Sequence, residues 1–150
     1  MISAYRGSCS LTEIRAVAMP SRREGAVLEG VERFGSLGAD VLKLQFPEDS
    51  VGNPFRHLWA KACEEIDRLS PVPWTILSEG SDYALFRDQL GVACRAGASG
   101  FLAGRAVWRE AATGRGDLAG AAARLDELRA IAVSEGVDWR SRAAPRDGRR

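Results

Sequence analysis

Lys43 occupies an unusual position for its residue type in this 150-residue sequence. It stands in the middle of the apolar run 39–46 (ADVLKLQF), which Pro47 ends and which predicts a buried strand. A lysine on a buried strand extends its ammonium to solvent, pairs with a carboxylate or is held neutral, because an unpaired buried charge is costly. A neutral lysine is an amine nucleophile for a carbonyl group. The alternative is a structural lysine near a strand end, paired with Asp40 or Glu48.

Two turns farther along the sequence could bind an anion. Residues 78–81 (SEGS) follow the predicted strand 73–78 and open a helix, so they can present backbone N–H groups and a hydroxyl. The alternative is a tight turn whose serine caps the helix. Gly104 and Arg105 follow the predicted strand 98–103; the glycine allows close backbone approach, and the arginine can bind phosphate oxygens in a bidentate manner.

The three features share one position in the expected fold. All lie at or near the carboxyl ends of successive strands, the edge where (β/α)-barrel enzymes build their sites. In such barrels the loops after the last two strands, together with a short extra helix, form the usual phosphate-binding corner. An amine nucleophile followed by two anion-binding turns therefore predicts a phosphorylated carbonyl compound as substrate.

Helix and strand signals alternate along the chain from residue 21. Ser21 and Glu24 have the spacing of a capping box at the start of the first helix. Helices are predicted over about 21–37, 53–69, 81–97, 106–112 and 117–134, and strands over 39–46, 73–78 and 98–103. This alternation predicts an α/β fold of parallel βαβ units. The strands are short and apolar, as in sheets with both faces covered.

The composition is that of an ordinary globular domain. The chain is 45% hydrophobic and 27% charged, with a net charge of +1, so we expect no nucleic-acid partner. No apolar run approaches the ~20 residues that span a bilayer, and no secretory signal is recognisable, which predicts a cytoplasmic protein without a membrane partner. Cys9, Cys63 and Cys94 form no CxxC pair and His57 is the only histidine, so we expect no metal.

Lysine is rare in this chain. Lys43 and Lys61 are the only two, and the other nineteen basic side chains are arginines. Lys61 is predicted on an amphipathic helix beside Glu64 and Glu65, which is typical of a solvated surface charge. It therefore serves as an internal comparison for Lys43.

Two stretches of the sequence resemble a known family. Residues 38–47 (GADVLKLQFP) and 73–108 (PWTILSEGSDYALFRDQLGVACRAGASGFLAGRAVW) are similar to the tagatose-bisphosphate aldolases, which include the sulfofructosephosphate aldolases. The resemblance extends from about residue 24 to Trp139. It implies a metal-free class I aldolase with a (β/α)8 barrel, of which this chain would supply strands six to eight, a partial TIM barrel. It also implies roles for individual residues: a Schiff base with dihydroxyacetone phosphate on Lys43, and phosphate binding by Ser78, Gly80, Gly104 and Arg105.

The resemblance predicts an aldehyde-lyase without a cofactor. The sugar-phosphate substrate would be a ketose (bis)phosphate such as tagatose 1,6-bisphosphate or a sulfofructose phosphate, cleaved to or formed from dihydroxyacetone phosphate. We expect a poorly defined segment over 1–20, a partial barrel domain over 21–139 and a polar tail over 140–150. The alternatives are a truncated, non-catalytic remnant, a phosphate-binding half-barrel that needs a homodimer or an N-terminal partner chain, and a decarboxylase or isomerase barrel without a Schiff base.

The sequence departs from the family pattern in several places. Family members are about twice this length, and residues 1–20 do not resemble the fifth strand, where an acidic residue is expected. Glu79 stands where relatives have a small residue, and its carboxylate would repel a phosphate unless it points away. Gln45 replaces an acidic residue two places after the lysine. The general acid and base are therefore unassigned; Glu79, Asp40 and Glu48 are the candidates.

Overall fold

The computed structural model describes residues 21–49 and 55–142 of the chain. In chain order the elements are α1 (Arg22–Gly35), β1 (Leu42–Leu44), α2 (Arg56–Leu69), β2 (Trp74–Leu77), α3 (Tyr83–Arg95), β3 (Phe101–Leu102), α4 (Arg105–Ala112), α5 (Leu118–Glu135) and a 3-10 turn (Trp139–Ser141). The predictions made for 1–20, for the start of the second helix at Asn53 and for 143–150 lie outside the described residues.

The three strands form one parallel sheet in the order β1-β2-β3. Leu42 lies opposite Trp74, and Ile76 lies opposite Phe101. The predicted α/β class with parallel βαβ units is confirmed. Strands that are consecutive in the chain are neighbours in the sheet, as in a segment of a (β/α) barrel.

Local capping explains where several helices begin. The Ser21 hydroxyl accepts the Glu24 N–H at 3.0 Å, and the Glu24 carboxylate accepts the Ser21 N–H at 3.3 Å, so the predicted capping box is present. Asp82 and Asp117 cap α3 and α5 through their carboxylates. Within the two described ranges, no helix is both long and apolar enough to cross a membrane.

The helices cover one face of the sheet only. On that face Leu42, Trp74 and Ile76 are buried in a single core, which also contains helix residues Val31, Trp59, Cys63, Ile66, Phe86, Leu90 and Leu128. On the opposite face Val41 is 46% exposed and Leu102 is 44% exposed. The prediction of strands covered on both faces, and of a buried Lys43 among them, is wrong for the described chain, because no described element packs against the second face.

Asp67 links several segments at the edge of the sheet where the strands begin. Its carboxylate accepts the indole N–H of Trp74 at 3.0 Å and pairs with Arg142 at 2.6 Å. The Val137 N–H donates to the Ala98 carbonyl at 3.1 Å, so the segment after α5 lies beneath the same edge. The first residues of the polar tail predicted from Arg140 therefore lie in a segment that is bonded to the sheet edge and to α2.

Candidate functional site

Lys43 lies at the centre of β1, on the uncovered face of the sheet. Its partner in the neighbouring strand is Thr75, and its side chain is exposed. Within residues 21–49 and 55–142, no carboxylate forms an ion pair with its ammonium, so neither Asp40 nor Glu48 fills the structural role considered above. Lys43 is thus an accessible amine on the face that would line the interior of a closed barrel.

The turn between β2 and α3 has a fixed backbone. The Ser81 N–H donates to the Ser78 carbonyl at 2.8 Å, and the Ser81 hydroxyl donates to the same oxygen at 2.6 Å. Glu79 and Gly80 have φ values of +50° and +78°, so two consecutive residues adopt the left-handed region, as in a type I′ turn. Asp82, and not the serine, caps the following helix.

The loop after β3 contacts this turn directly. A Cβ atom added at Gly80 would lie 2.8 Å from Nη2 of Arg105, so the guanidinium packs against the bare Cα of the glycine. The Gly104 N–H donates to the buried Ser78 hydroxyl over a long 3.4 Å. The fold therefore brings together Ser78, Gly80, Gly104 and Arg105, the four residues for which phosphate binding is expected.

The cluster leaves hydrogen-bond donors available for an anion. The Arg105 guanidinium makes no hydrogen bond or ion pair with any residue that the structure describes. Gly104 is the N-cap of α4, and no side chain caps this helix. Helix N-termini carry unsatisfied N–H groups and a partial positive charge, and a guanidinium adds a planar set of donors. An anion at this corner would meet both.

Two further arginines contact the turn after β2, and neither was singled out from the sequence. The Arg109 guanidinium donates to the Gly80 carbonyl, and Arg23 forms an ion pair with Glu79. Arg109 follows Arg105 by four residues and so shares its helix face, a signal that could have been read. Arg23 is separated from Glu79 by 56 residues, and no local pattern marks such a pair.

Neither Asp40 nor Glu48, two of the candidates for general acid or base, lies on β1 with Lys43. Asp40 precedes β1, so it lies at the edge of the sheet formed by the amino ends of the strands, away from the turns after β2 and β3. Glu48 is 7% exposed and lies beside the Glu24 carboxyl. Burial raises the pKa of Glu24 above its ordinary value, and the neighbouring Glu48 acts in the same direction. Glu79 itself belongs to the turn that contacts Arg105.

Replacing Gly80 by alanine should disrupt the cluster. The new methyl group needs the space of the Arg105 guanidinium, and the φ of +78° is strained for alanine. Since charged hydrogen bonds contribute about 1.5–3 kcal/mol, we expect inorganic phosphate to bind at least about tenfold more weakly, measured by calorimetry. Gly114→Ala is the control, because Gly114 has φ +71° but no neighbour within 4 Å. Equal affinities for the two variants would contradict the site.

Comparison with known proteins adds two findings. Residues 10–110 match the model of a family described as DeoC/LacD family aldolase, a range that contains Lys43, Ser78, Gly80, Gly104 and Arg105. The chain is also 28% identical over 156 residues to tagatose 1,6-diphosphate aldolase 1 of Streptococcus mutans serotype c (strain ATCC 700610 / UA159). That match covers 89% of this chain and 48% of the relative, so the chain spans about half the relative's length.

Proposed function

Since the chain belongs to the DeoC/LacD family of aldolases, we propose that it provides the Schiff-base half of a class I aldolase site for ketose phosphates. Lys43 is the amine that attacks the substrate carbonyl. Arg105, with the Ser78–Gly80 turn and Gly104, holds the phosphate. The observation that carries the proposal is the contact between Arg105 and Gly80, which joins the loops after β2 and β3. The neighbouring strand, β1, contains Lys43 as its only lysine.

The spacing between the amine and the corner suits a three-carbon substrate unit. Lys43 lies opposite Thr75, and Ser78 follows Thr75 by three residues, about 10 Å farther along the sheet. Turned toward that edge, the flexible side chain of Lys43 would cover part of this distance, and the phosphate, its ester oxygen and one carbon would occupy the remainder. The C2 carbonyl of dihydroxyacetone phosphate would then reach Nζ while its phosphate remains at Arg105.

The reaction follows from these positions. The neutral Nζ of Lys43 attacks C2 of the ketose phosphate, and loss of water leaves a protonated imine. This cation accepts the electron pair when the C3–C4 bond breaks. A general base takes the proton of the C4 hydroxyl, and C4 with the rest of the sugar leaves as an aldehyde. Protonation at C3 and hydrolysis of the imine then release dihydroxyacetone phosphate and restore the amine. Arg105 fixes the far end of the three-carbon unit, so that the amine and carbonyl meet in a reactive geometry.

We propose tagatose 1,6-bisphosphate as the first substrate to test, because the relative that covers 89% of this chain is named for it. A sulfofructose phosphate is the second, since both leave the same phosphorylated ketone on the lysine. Contacts to the rest of either sugar would come from strands that close the barrel over the uncovered face. The described residues provide three strands of the eight that a closed barrel needs.

The test is cleavage of each substrate by the purified chain in the presence of a chelator, followed by enzymatic measurement of dihydroxyacetone phosphate. We expect release from a ketose bisphosphate and no dependence on added metal. A folded chain that binds inorganic phosphate and releases no product would favour the second candidate, a phosphate-binding half-barrel without catalysis. The observation that favours this second candidate is the uncovered sheet face, where the side chains of Val41 and Leu102 are exposed.

A further inference from the structure

Glu79 places a negative charge next to the residues that are to bind phosphate. It is the first of the two central residues of the Ser78–Ser81 turn, and the second, Gly80, contacts the Arg105 guanidinium. A carboxylate there could repel a phosphate or pair with Arg105 itself, because Arg105 has no other partner in the described chain. The site therefore needs a means of keeping this carboxylate away.

Arg23 provides that means. Its guanidinium forms an ion pair with the Glu79 carboxylate, while its Nε donates to the Phe46 carbonyl at 2.8 Å. Arg23 belongs to the first turn of α1, the capped helix whose N-terminus lies at the same edge as the carboxyl ends of the strands. It thus joins the segment after β1, which follows Lys43, to the turn after β2.

We propose that Arg23 is a positioning residue of the phosphate site, which keeps Glu79 from competing with phosphate for Arg105. The proposal rests on the function proposed above, because it presumes that an anion binds at Arg105. In this arrangement Glu79 is directed to α1, and the Arg105 guanidinium stays open. Arg109 already donates to the Gly80 carbonyl, so without Arg23 the carboxylate turns toward Arg105 and occupies the position of the phosphate.

The test is a set of variants titrated with inorganic phosphate by calorimetry, after circular dichroism has shown that each variant is folded. Arg23→Ala should weaken binding by about five- to tenfold, and Arg23→Ala/Glu79→Gln should bind within about twofold of the unsubstituted chain. Glu79→Gln alone should bind equally or more tightly. Arg22→Ala is the matched control, since it removes a neighbouring positive charge that has no ion pair in the described chain.

A purely structural role for Arg23 gives a different pattern. If its bond to the Phe46 carbonyl were what matters, the Glu79→Gln substitution would not restore binding in the double variant. Arg23→Lys separates the two roles again, because it keeps the charge and loses the Nε donor; we expect near-normal binding. The loss in Arg23→Ala should also shrink between about 20 mM and about 500 mM salt, as screening weakens the competing charge.

The outcomes are distinguishable from failure of the proposed function. If the unsubstituted chain binds no phosphate, both the phosphate site and the role of Arg23 are wrong. If it binds phosphate and Arg23→Ala binds equally well, the role of Arg23 alone is wrong. If Arg23→Ala weakens binding and the double variant remains as weak, the charge-based role is again wrong.

Discussion

Lys43→Met should abolish cleavage of the ketose bisphosphate and leave the protein folded. Loss of a covalent nucleophile typically lowers kcat by several orders of magnitude, and we expect at least on the order of a thousandfold. The free energy of unfolding should stay within about 0.5 kcal/mol, because the side chain is exposed and pairs with no described carboxylate. The measurements are steady-state kinetics and urea denaturation.

The control for this variant is Lys61→Met, which removes the other lysine. Lys61 lies on α2, is exposed, and should be dispensable for cleavage. Phosphate affinity should be similar in both variants, because Arg105 and its turn are intact in each. Turnover by Lys43→Met within tenfold of normal would show that the amine is not the nucleophile. Unfolding of that variant would instead assign Lys43 a structural role.

Gly97→Ala should cause the largest loss of stability. Gly97 has φ +118°, and a Cβ added there would lie 2.0 Å from Oδ1 of Asp67, the carboxylate that holds Trp74 and Arg142. Backbone strain and overpacking together should lower the free energy of unfolding by about 3 kcal/mol. The measurement is chemical denaturation followed by tryptophan fluorescence, since Trp74 is fully buried in β2.

Gly38→Ala is the matched control for Gly97→Ala. Gly38 has φ +82° but no neighbour within 4 Å, so only the strain is shared. We expect a loss of about 1 kcal/mol for this control. Equal losses in the two variants would mean that the contact with Asp67 contributes nothing. A Gly97→Ala variant as stable as the unsubstituted chain would contradict the described geometry of this edge.

Features of the fold that depend on residues close together in the sequence could be predicted from it. The capping box of Ser21 and Glu24 and the parallel order of the strands are both present. The strands are shorter than predicted, since apolar residues continue beyond the hydrogen-bonded ladder: β1 is Leu42–Leu44, where 39–46 was expected. An apolar run records burial of its side chains and does not record where pairing with the next strand ends.

The exposure of Lys43 could not be predicted, because it depends on what covers the second face of the sheet. Alternating faces were not visible in a run where Val41, Leu42 and Leu44 are all apolar. Apolar side chains on both faces indicate two covering layers, and only one is described. The expectation was therefore wrong for the described sheet, which is uncovered on that side.

Some residues of the candidate site could be predicted from the sequence and others could not. Ser78, Gly80, Gly104 and Arg105 could be singled out because they follow strand ends, and parallel strands bring such ends together. The ion pair of Arg23 with Glu79 could not, because the two residues are 56 positions apart and meet only in the folded chain.

The most direct test of the central claim is reductive trapping. The chain is incubated with dihydroxyacetone phosphate and borohydride, and the adduct is located by intact and peptide mass spectrometry, with Lys61 as the internal comparison. We predict one reduced adduct per chain, on Lys43, which an excess of inorganic phosphate suppresses. A folded chain with no adduct, or one in which both lysines react equally, would contradict a Schiff-base site at Lys43.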